Sequence, residues 1–212
     1  MTALLTPAIF TRTGELAAAL MDFFGQGMVI IYPPVIVFWL IIHGNIEHWR
    51  RIGKRAYWVA ALTWALISLP LLYYREAVFS VRWPTPWWMK ATGLVAGGLA
   101  VWFGWQACQV IPRRTLVGIP ELEPQKNFQP LLETGVYGRT RNPVYLSHTL
   151  LVVAGACFTG YAASWALLVF DALFLPWMIR VEERELRQRY GSRYADYMAR
   201  VPRFLPKSIR RY

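Results

Sequence analysis

Residues 144–179 read VYLSHTLLVVAGACFTGYAASWALLVFDALFLPWMI, two apolar runs with only Tyr161 and Ala162 between them. A hydrocarbon core is crossed by roughly 20 consecutive apolar residues in a helix, so Val144–Gly160 and Ala163–Ile179 are expected to form a tight helical hairpin. Three more apolar stretches precede it, at about Met21–His43, Ala56–Tyr74 and Trp87–Val110. The first carries Pro33-Pro34, where the missing amide donors should kink it. With 56% hydrophobic and 16% aromatic residues in 212, the chain is too oily for an ordinary soluble domain. The expected fold is all-α: a polytopic membrane protein of about five transmembrane helices in one integral-membrane domain. It divides into an N-terminal surface segment (1–20), three spans (21–110), a cytoplasmic segment (111–143), the hairpin (144–180) and cytoplasmic C-terminal helices (181–212).

Charge gives the orientation, because cytoplasmic loops retain Lys and Arg. Of the 23 basic residues, 19 fall on one side of the expected spans, from Arg50 to Arg55, Arg113 to Arg141 and Arg180 to Arg211. Only Arg12, Arg75, Arg82 and Lys90 fall on the other. The N-terminus is therefore expected outside and the C-terminus in the cytoplasm, across a cell inner membrane, or the endoplasmic reticulum in a eukaryote. This asymmetry, with anionic head groups as partners, accounts for the net charge of +11 and argues against nucleic-acid binding. Trp49, Tyr57, Trp58, Trp83, Trp87 and Trp88 sit near span ends, as interfacial aromatics do.

The first residues lack the basic start and short apolar core of a cleavable signal and read as mature sequence. Cys108 and Cys157 lie inside spans without a CxxC or a His-rich partner set, so neither a metal site nor a disulfide framework is expected. The GxxxG at Gly93–Gly97 reads as packing between helices of one chain.

Before the hairpin stands LLETGVYGRTRNPVYLS, residues 131–147. Asn142-Pro143 is a helix start, with Asn suited to the N-cap and Pro to the first helical position. The free amides of that end favour an anion, and Arg141 adds a planar fork suited to a carboxylate. After the hairpin comes VEERELRQRYGSRYADYMARVPRFLP, residues 181–206. Glu183 with Arg187, and Glu185 with Arg189, are four apart and are expected to make ordinary surface pairs. Glu182 has no such partner. Gly191 can end this helix and Ser192 cap another, on which Tyr194, Tyr197 and Val201 lie near one face. The hairpin thus returns Glu182 and Glu183 to the surface that holds Arg141 and Asn142, a polar site suited to a zwitterionic ligand.

These residues resemble a family, the integral-membrane methyltransferases that include isoprenylcysteine carboxyl methyltransferases and phosphatidylethanolamine N-methyltransferases. Its signature is approximately LVTxGxY, RHPxYxG, an apolar hairpin, EE, FGxxYxxY and VP. Here Leu131 to Tyr137, Arg141 to Ser147, Glu182-Glu183, Tyr190-Gly191, Tyr194, Tyr197 and Val201-Pro202 stand in that order and spacing, over about residues 129–206. The resemblance implies an all-helical S-adenosylmethionine site without a soluble nucleotide-binding domain. It places Gln129, Leu131, Leu132, Gly135 and Tyr137 around the adenine end, and Arg141, Asn142, Pro143, Tyr145 and Ser147 near the methionine end. Glu182 or Glu183 would contact the ribose or amino group. Asn142 and Gln129 replace histidines usual in the family; they still donate hydrogen bonds but do not titrate near neutrality.

A sulfonium methyl is already activated, so alignment and exclusion of water are the protein's main tasks. A carboxylate or thiolate acceptor needs no base; for an ammonium acceptor Glu182, Glu183 or Tyr137 is a candidate base. The acceptor is expected to be a lipid or another amphiphile. Two polar residues fall inside the hairpin spans, His148 roughly 8 Å and Asp171 roughly 13 Å from the surface. His148 reads as part of the cofactor or substrate pocket, and Asp171 equally as functional or as a structural hydrogen-bonding group. The competing readings are a nicotinamide-dependent reductase of sterol-reductase type, whose chains are longer, and a membrane scaffold, which leaves the polar elbow and glutamate pair without a purpose.

The charge count predicts sidedness directly. A cysteine placed at Thr2 should react with an impermeant thiol reagent in intact cells and one placed at Ser208 should be protected, and the reverse pattern would place the polar elbow outside.

Overall fold

The computed structural model describes residues 6–204, with side chains described from Gly14 onward. Residues 1–5 and 205–212, which fall in the expected terminal segments, lie outside the described residues. Helix α1 runs from Thr6 to Gly44, α2 from Ile46 to Ile52, and a 3-10 turn at Gly53–Ala56 leads into α3, Tyr57–Tyr73. Then come α4 (Arg75–Val78), α5 (Trp87–Cys108), α6 (Arg113–Leu116), α7 (Ile119–Leu122) and a 3-10 turn at Gly135–Gly138. Helices α8 (Pro143–Thr159), α9 (Ala162–Tyr190) and α10 (Ser192–Arg200) complete the order. The fold is all-α, with no strand among the described residues.

Gly14–Gly44, Ile46–Tyr73 and Ala162–Tyr190 are long and apolar enough to cross a membrane, and α8 is a shorter apolar helix. The fourth expected span is therefore only 17 residues long, or about 26 Å. The third, α5, reaches 22 residues, but Lys90, Gln106 and several tryptophans and glycines dilute its apolar character. From Thr6 onward the N-terminal segment is one continuous helix with the first span.

Pro33 and Pro34 lie within α1 without ending it. Pro34 has no N–H, so the Ile30 carbonyl loses its helical donor. Ser68 of α3 supplies one instead, its Oγ donating to Ile30 O at 2.7 Å. Buried Val29, Tyr32 and Ile36 of α1 pack with Val152 of α8 and with Leu167, Leu175, Met178 and Ile179 of α9 as the main core.

The glycines of α5 serve its packing on α8. A Cβ at Gly93 would lie 3.1 Å from both Cys157 Cβ and the Phe158 ring, and one at Gly104 would lie 3.0 Å from Ser147 Oγ. The GxxxG stretch therefore works inside the chain, with the Gly97 position facing Ala154. Gly98 faces nothing within 4 Å.

The hairpin turn is as tight as expected. Gly160 has φ +69°, and a Cβ there would fall 2.2 Å from Trp83 O, so both the backbone angle and the space call for glycine. The chain before α5 lies against this turn, with Trp83 N donating to Gly160 O (2.8 Å) and Ala162 N to Val81 O (3.0 Å). Between them Arg82 donates to Thr159 O at 2.6 Å and pairs with Asp22 of α1 at 2.9 Å. Its guanidinium also lies 4.9 Å from the centre of the Tyr161 ring.

Gly93→Leu should force α5 from α8 and cost about 1–3 kcal/mol, seen as a fall of about 5 °C in the unfolding midpoint in detergent. Gly98→Leu, which meets no neighbour, should leave the midpoint within about 1 °C. Equal shifts would mean that the two helices do not pack through this face.

Candidate active site at the start of helix α8

Asn142 occupies the N-cap position of α8, but its side chain makes no capping bond. It donates instead to Arg203 O at 3.2 Å. The cause is the C-terminal segment, which runs beside the elbow and offers it a row of carbonyls. Arg141 N donates to Pro202 O (3.0 Å) and Thr140 Oγ1 to Arg203 O (3.0 Å). The Arg141 side chain donates to Met198 O (3.1 Å) and Val201 O (2.5 Å) through Nη1. Through Nε and Nη2 it reaches Glu183 Oε1, at 3.1 and 2.8 Å. Arg203 takes the other oxygen of Glu183 at 2.5 Å. The fork expected to meet a ligand is thus occupied by a protein carboxylate.

Both expected surface pairs need correction. Glu183 faces Arg141 and Arg203, while Arg187 lies against Met198 Sδ at 3.2 Å. The Glu185–Arg189 pair forms, at 2.9 Å, but Glu185 is buried and also receives Arg50 of α2. The charged end of α9 is not a free surface, because α2 and α10 flank it. Glu182 is the member of the series that these ion pairs leave out, and its Oε2 accepts a hydrogen bond from Tyr145 OH at 2.8 Å.

The tyrosines after the hairpin hold the loop before it. Tyr190 OH donates to Gln129 O (2.6 Å) and Tyr197 OH to Tyr137 O (2.7 Å). Tyr194, Tyr197 and Val201 form a small core on which Leu131 and Leu186 pack, the face expected from their spacing. Ser192 is the first residue of α10 rather than its cap, which is Gly191. Gln129 is buried and accepts from Thr115 Oγ1 at 3.0 Å.

Two adjoining cavities result. The larger, about 360 Å³, lies between α1, α7 and the starts of α8 and of the charged part of α9. Of the expected residues it is lined by Tyr137, Arg141, Asn142, Pro143, Tyr145, His148 and Glu182. The smaller, about 120 Å³, is lined by Gln129, Leu131, Leu132, Tyr190, Tyr194 and Tyr197. Tyr137, Arg141, Asn142 and Glu182 line both. Gly135, at φ +61°, lines a separate recess with Trp102 and Gln106. Ser147 turns away from the cavities and donates to Ala100 O of α5 at 2.9 Å. Asp171 accepts from Tyr32 OH (2.9 Å) and Thr149 Oγ1 (2.7 Å), which makes it a structural link between α1, α8 and α9. His148 has no bond to Asp171 and stands edge-on to Tyr32 instead.

The wall residues outside every motif include Trp39 and His43 of α1, Thr115 of α6 and Glu121 of α7. Trp39 stacks on His43 and lies over Gly118, where a Cβ would fall 2.1 Å from the indole. The Nδ1 atoms of His43 and His148 and Oε2 of Glu121 are buried without a hydrogen-bond partner among the described residues. Burial pushes the Glu121 carboxyl up to about 7 although Arg189 opposes it. Burial, with Glu182 nearby, pushes the Tyr137 phenol above its ordinary value. Neither His43, near the end of α1, nor Glu121, in α7, belongs to any motif read from the sequence.

Because Arg141 and Glu183 are both buried, removing one charge strands the other. Glu183→Gln should cost about 3–5 kcal/mol, or about 10 °C in the unfolding midpoint, whereas Glu182→Gln should leave the midpoint near that of the wild type. Equal midpoints for all three proteins would show that Glu183 does not hold the elbow.

The profile of the family described as phospholipid methyltransferase matches residues 88–193. Searches of the curated proteins and of the solved structures return no significant match. The matched segment contains α5 through the start of α10, and so most of the walls of both cavities. The chain belongs to the phospholipid methyltransferase family and is a membrane methyltransferase.

Proposed function

We propose that the protein transfers a methyl group from S-adenosylmethionine to an amphiphilic, lipid-like acceptor at the cytoplasmic surface of its membrane. The observation that carries this reading is that Tyr137 and Glu182 stand in the wall shared by the two cavities. One cavity is small and rich in tyrosine. The other is larger and extends to apolar Val35, Trp39, Leu116 and Val144. The fit to a polar small molecule rests on the volume of the larger cavity, about 360 Å³, which falls in the usual range of about 300–1,000 Å³, and on the unpartnered buried atoms of His43, Glu121 and His148.

When bound, S-adenosylmethionine supplies a methyl group on a sulfonium, already activated for transfer. Gln129, Leu131, Leu132 and Tyr137 would hold its adenine end. Arg141, Asn142, Pro143, Tyr145, His148 and Glu182 would surround the methionine end. Glu182, oriented by Tyr145, is the carboxylate free to accept from a ribose hydroxyl or an amino group. Gly135, Ser147 and Glu183 contribute through backbone shape and packing. Trp39, in the wall of the larger cavity, would help to keep water from a nucleophile held there and so raise its reactivity. The basic residues flanking α2, α6 and the end of α9 lie at the site's end of the helices, which supports its placement on the cytoplasmic side.

Calorimetric titration should show S-adenosylmethionine binding, and Glu182→Gln should weaken it roughly 10- to 150-fold, the equivalent of about 1.5–3 kcal/mol for a hydrogen bond to a charged group. Undiminished binding in that variant would remove Glu182 from the donor site. In thermal-shift assays S-adenosylmethionine and S-adenosylhomocysteine should stabilise the protein and NADPH should not. Transfer of labelled methyl to water-soluble acceptors alone would overturn the lipid-like acceptor.

A further inference from the structure

If the donor reaches from the smaller cavity into the larger, which also admits the acceptor, the methyl passes where the two cavities join. Glu121 lies there with Glu182 and Tyr137, since it lines both cavities. Its Oε1 is 3.8 Å from Arg189 Nη1, a loose contact, and its Oε2 has no partner among the described residues. Arg189 is directed to Glu185 instead, at 2.9 Å. Glu183 is committed to Arg141 and Arg203, and Glu182 takes the Tyr145 hydroxyl on Oε2, which leaves its other oxygen for the donor. Tyr137 is a weak candidate because burial keeps its phenol protonated.

We propose that Glu121 is a catalytic residue that takes the proton lost by a protic acceptor, an amphiphile bearing N–H or O–H, as the methyl is transferred. The inference rests on the donor reading above. The acceptor's electron pair forms the new bond to the methyl carbon, and the carbon–sulfur pair leaves on sulfur, turning the sulfonium into a thioether. The proton passes to Glu121 Oε2 and then to solvent. A base with a pKa of about 7 is suited to this task near neutral pH. The groups that face or influence it are His43, Arg50, Tyr57, Tyr137, Arg141, Tyr145, Glu182, Glu185, Arg189 and Tyr190. His43, which lines only the larger cavity, leaves its Nδ1 for the acceptor's head group.

The test uses the full chain in detergent with methyl-labelled S-adenosylmethionine and a solubilised membrane lipid extract. Glu121→Gln should bind the donor within about 3-fold of wild type yet transfer methyl at least about 100-fold more slowly, and Glu121→Asp should recover part of the rate. The wild-type rate should rise with pH through about 7, and this limb should be missing from Glu121→Gln. Without any ligand, a hydrophobic carbodiimide should modify Glu121, located by peptide mass, and the labelling should fade over the same pH range. Label that alkali releases as methanol would reveal a carboxylate acceptor and overturn the inference, as would an unimpaired Glu121→Gln rate, absence of carbodiimide labelling, or a wild type that binds donor but labels no lipid. A wild type that fails to bind S-adenosylmethionine would instead bring down the donor reading and this inference with it.

Discussion

One buried carboxylate, Glu183, holds two guanidinium groups, one from the elbow before α8 and one from the chain after α10. Charges removed from water are expensive unless paired and hydrogen-bonded, and here both oxygens of Glu183 are used while Arg141 also serves two carbonyls. The result fixes three segments at once: the elbow that begins α8, the emerging end of α9 and the chain after α10. The cavity walls follow from it. That junction, with the Tyr197–Tyr137 and Tyr145–Glu182 hydrogen bonds, sets Tyr137 and Asn142 against Glu182.

The sequence motif therefore contains two kinds of residue that look alike in one dimension. Arg141, Glu183, Tyr190, Tyr197 and the Val201-Pro202 carbonyls are spent on one another or on backbone. Tyr137, Tyr145, His148 and Glu182 face the space those contacts enclose. Adjacent glutamates differ because successive helical positions are rotated by about 100°, so Glu183 turns toward the elbow and the C-terminal segment while Glu182 faces the cavities.

Much of this was legible in one dimension. The hairpin followed from two apolar runs and a two-residue gap, and the small residues of α5 announced a close helix contact. Glu185 was misread because four-residue spacing identifies a pair but not what covers it; α2, distant in sequence, brings Arg50 over that face. Asn142 was misread in part for the same reason, since the carbonyl that took its amide belongs to Arg203. Glu121 and His43 were invisible as a wall because nothing local shows that α7 and the end of α1 meet across the start of α8.

At the far end of the molecule, Val81 and Trp83 hold the hairpin turn through main-chain hydrogen bonds, and their side chains are about half exposed. Arg82 between them works through its side chain, and Gly160 opposite has no room for one. Freedom to vary should therefore alternate along this short connection: wide at two positions, almost nil at the one between. Sequence drift could rewrite the exterior of the turn while its geometry stayed the same, and two chains sharing this fold could look unrelated here apart from an arginine and a glycine.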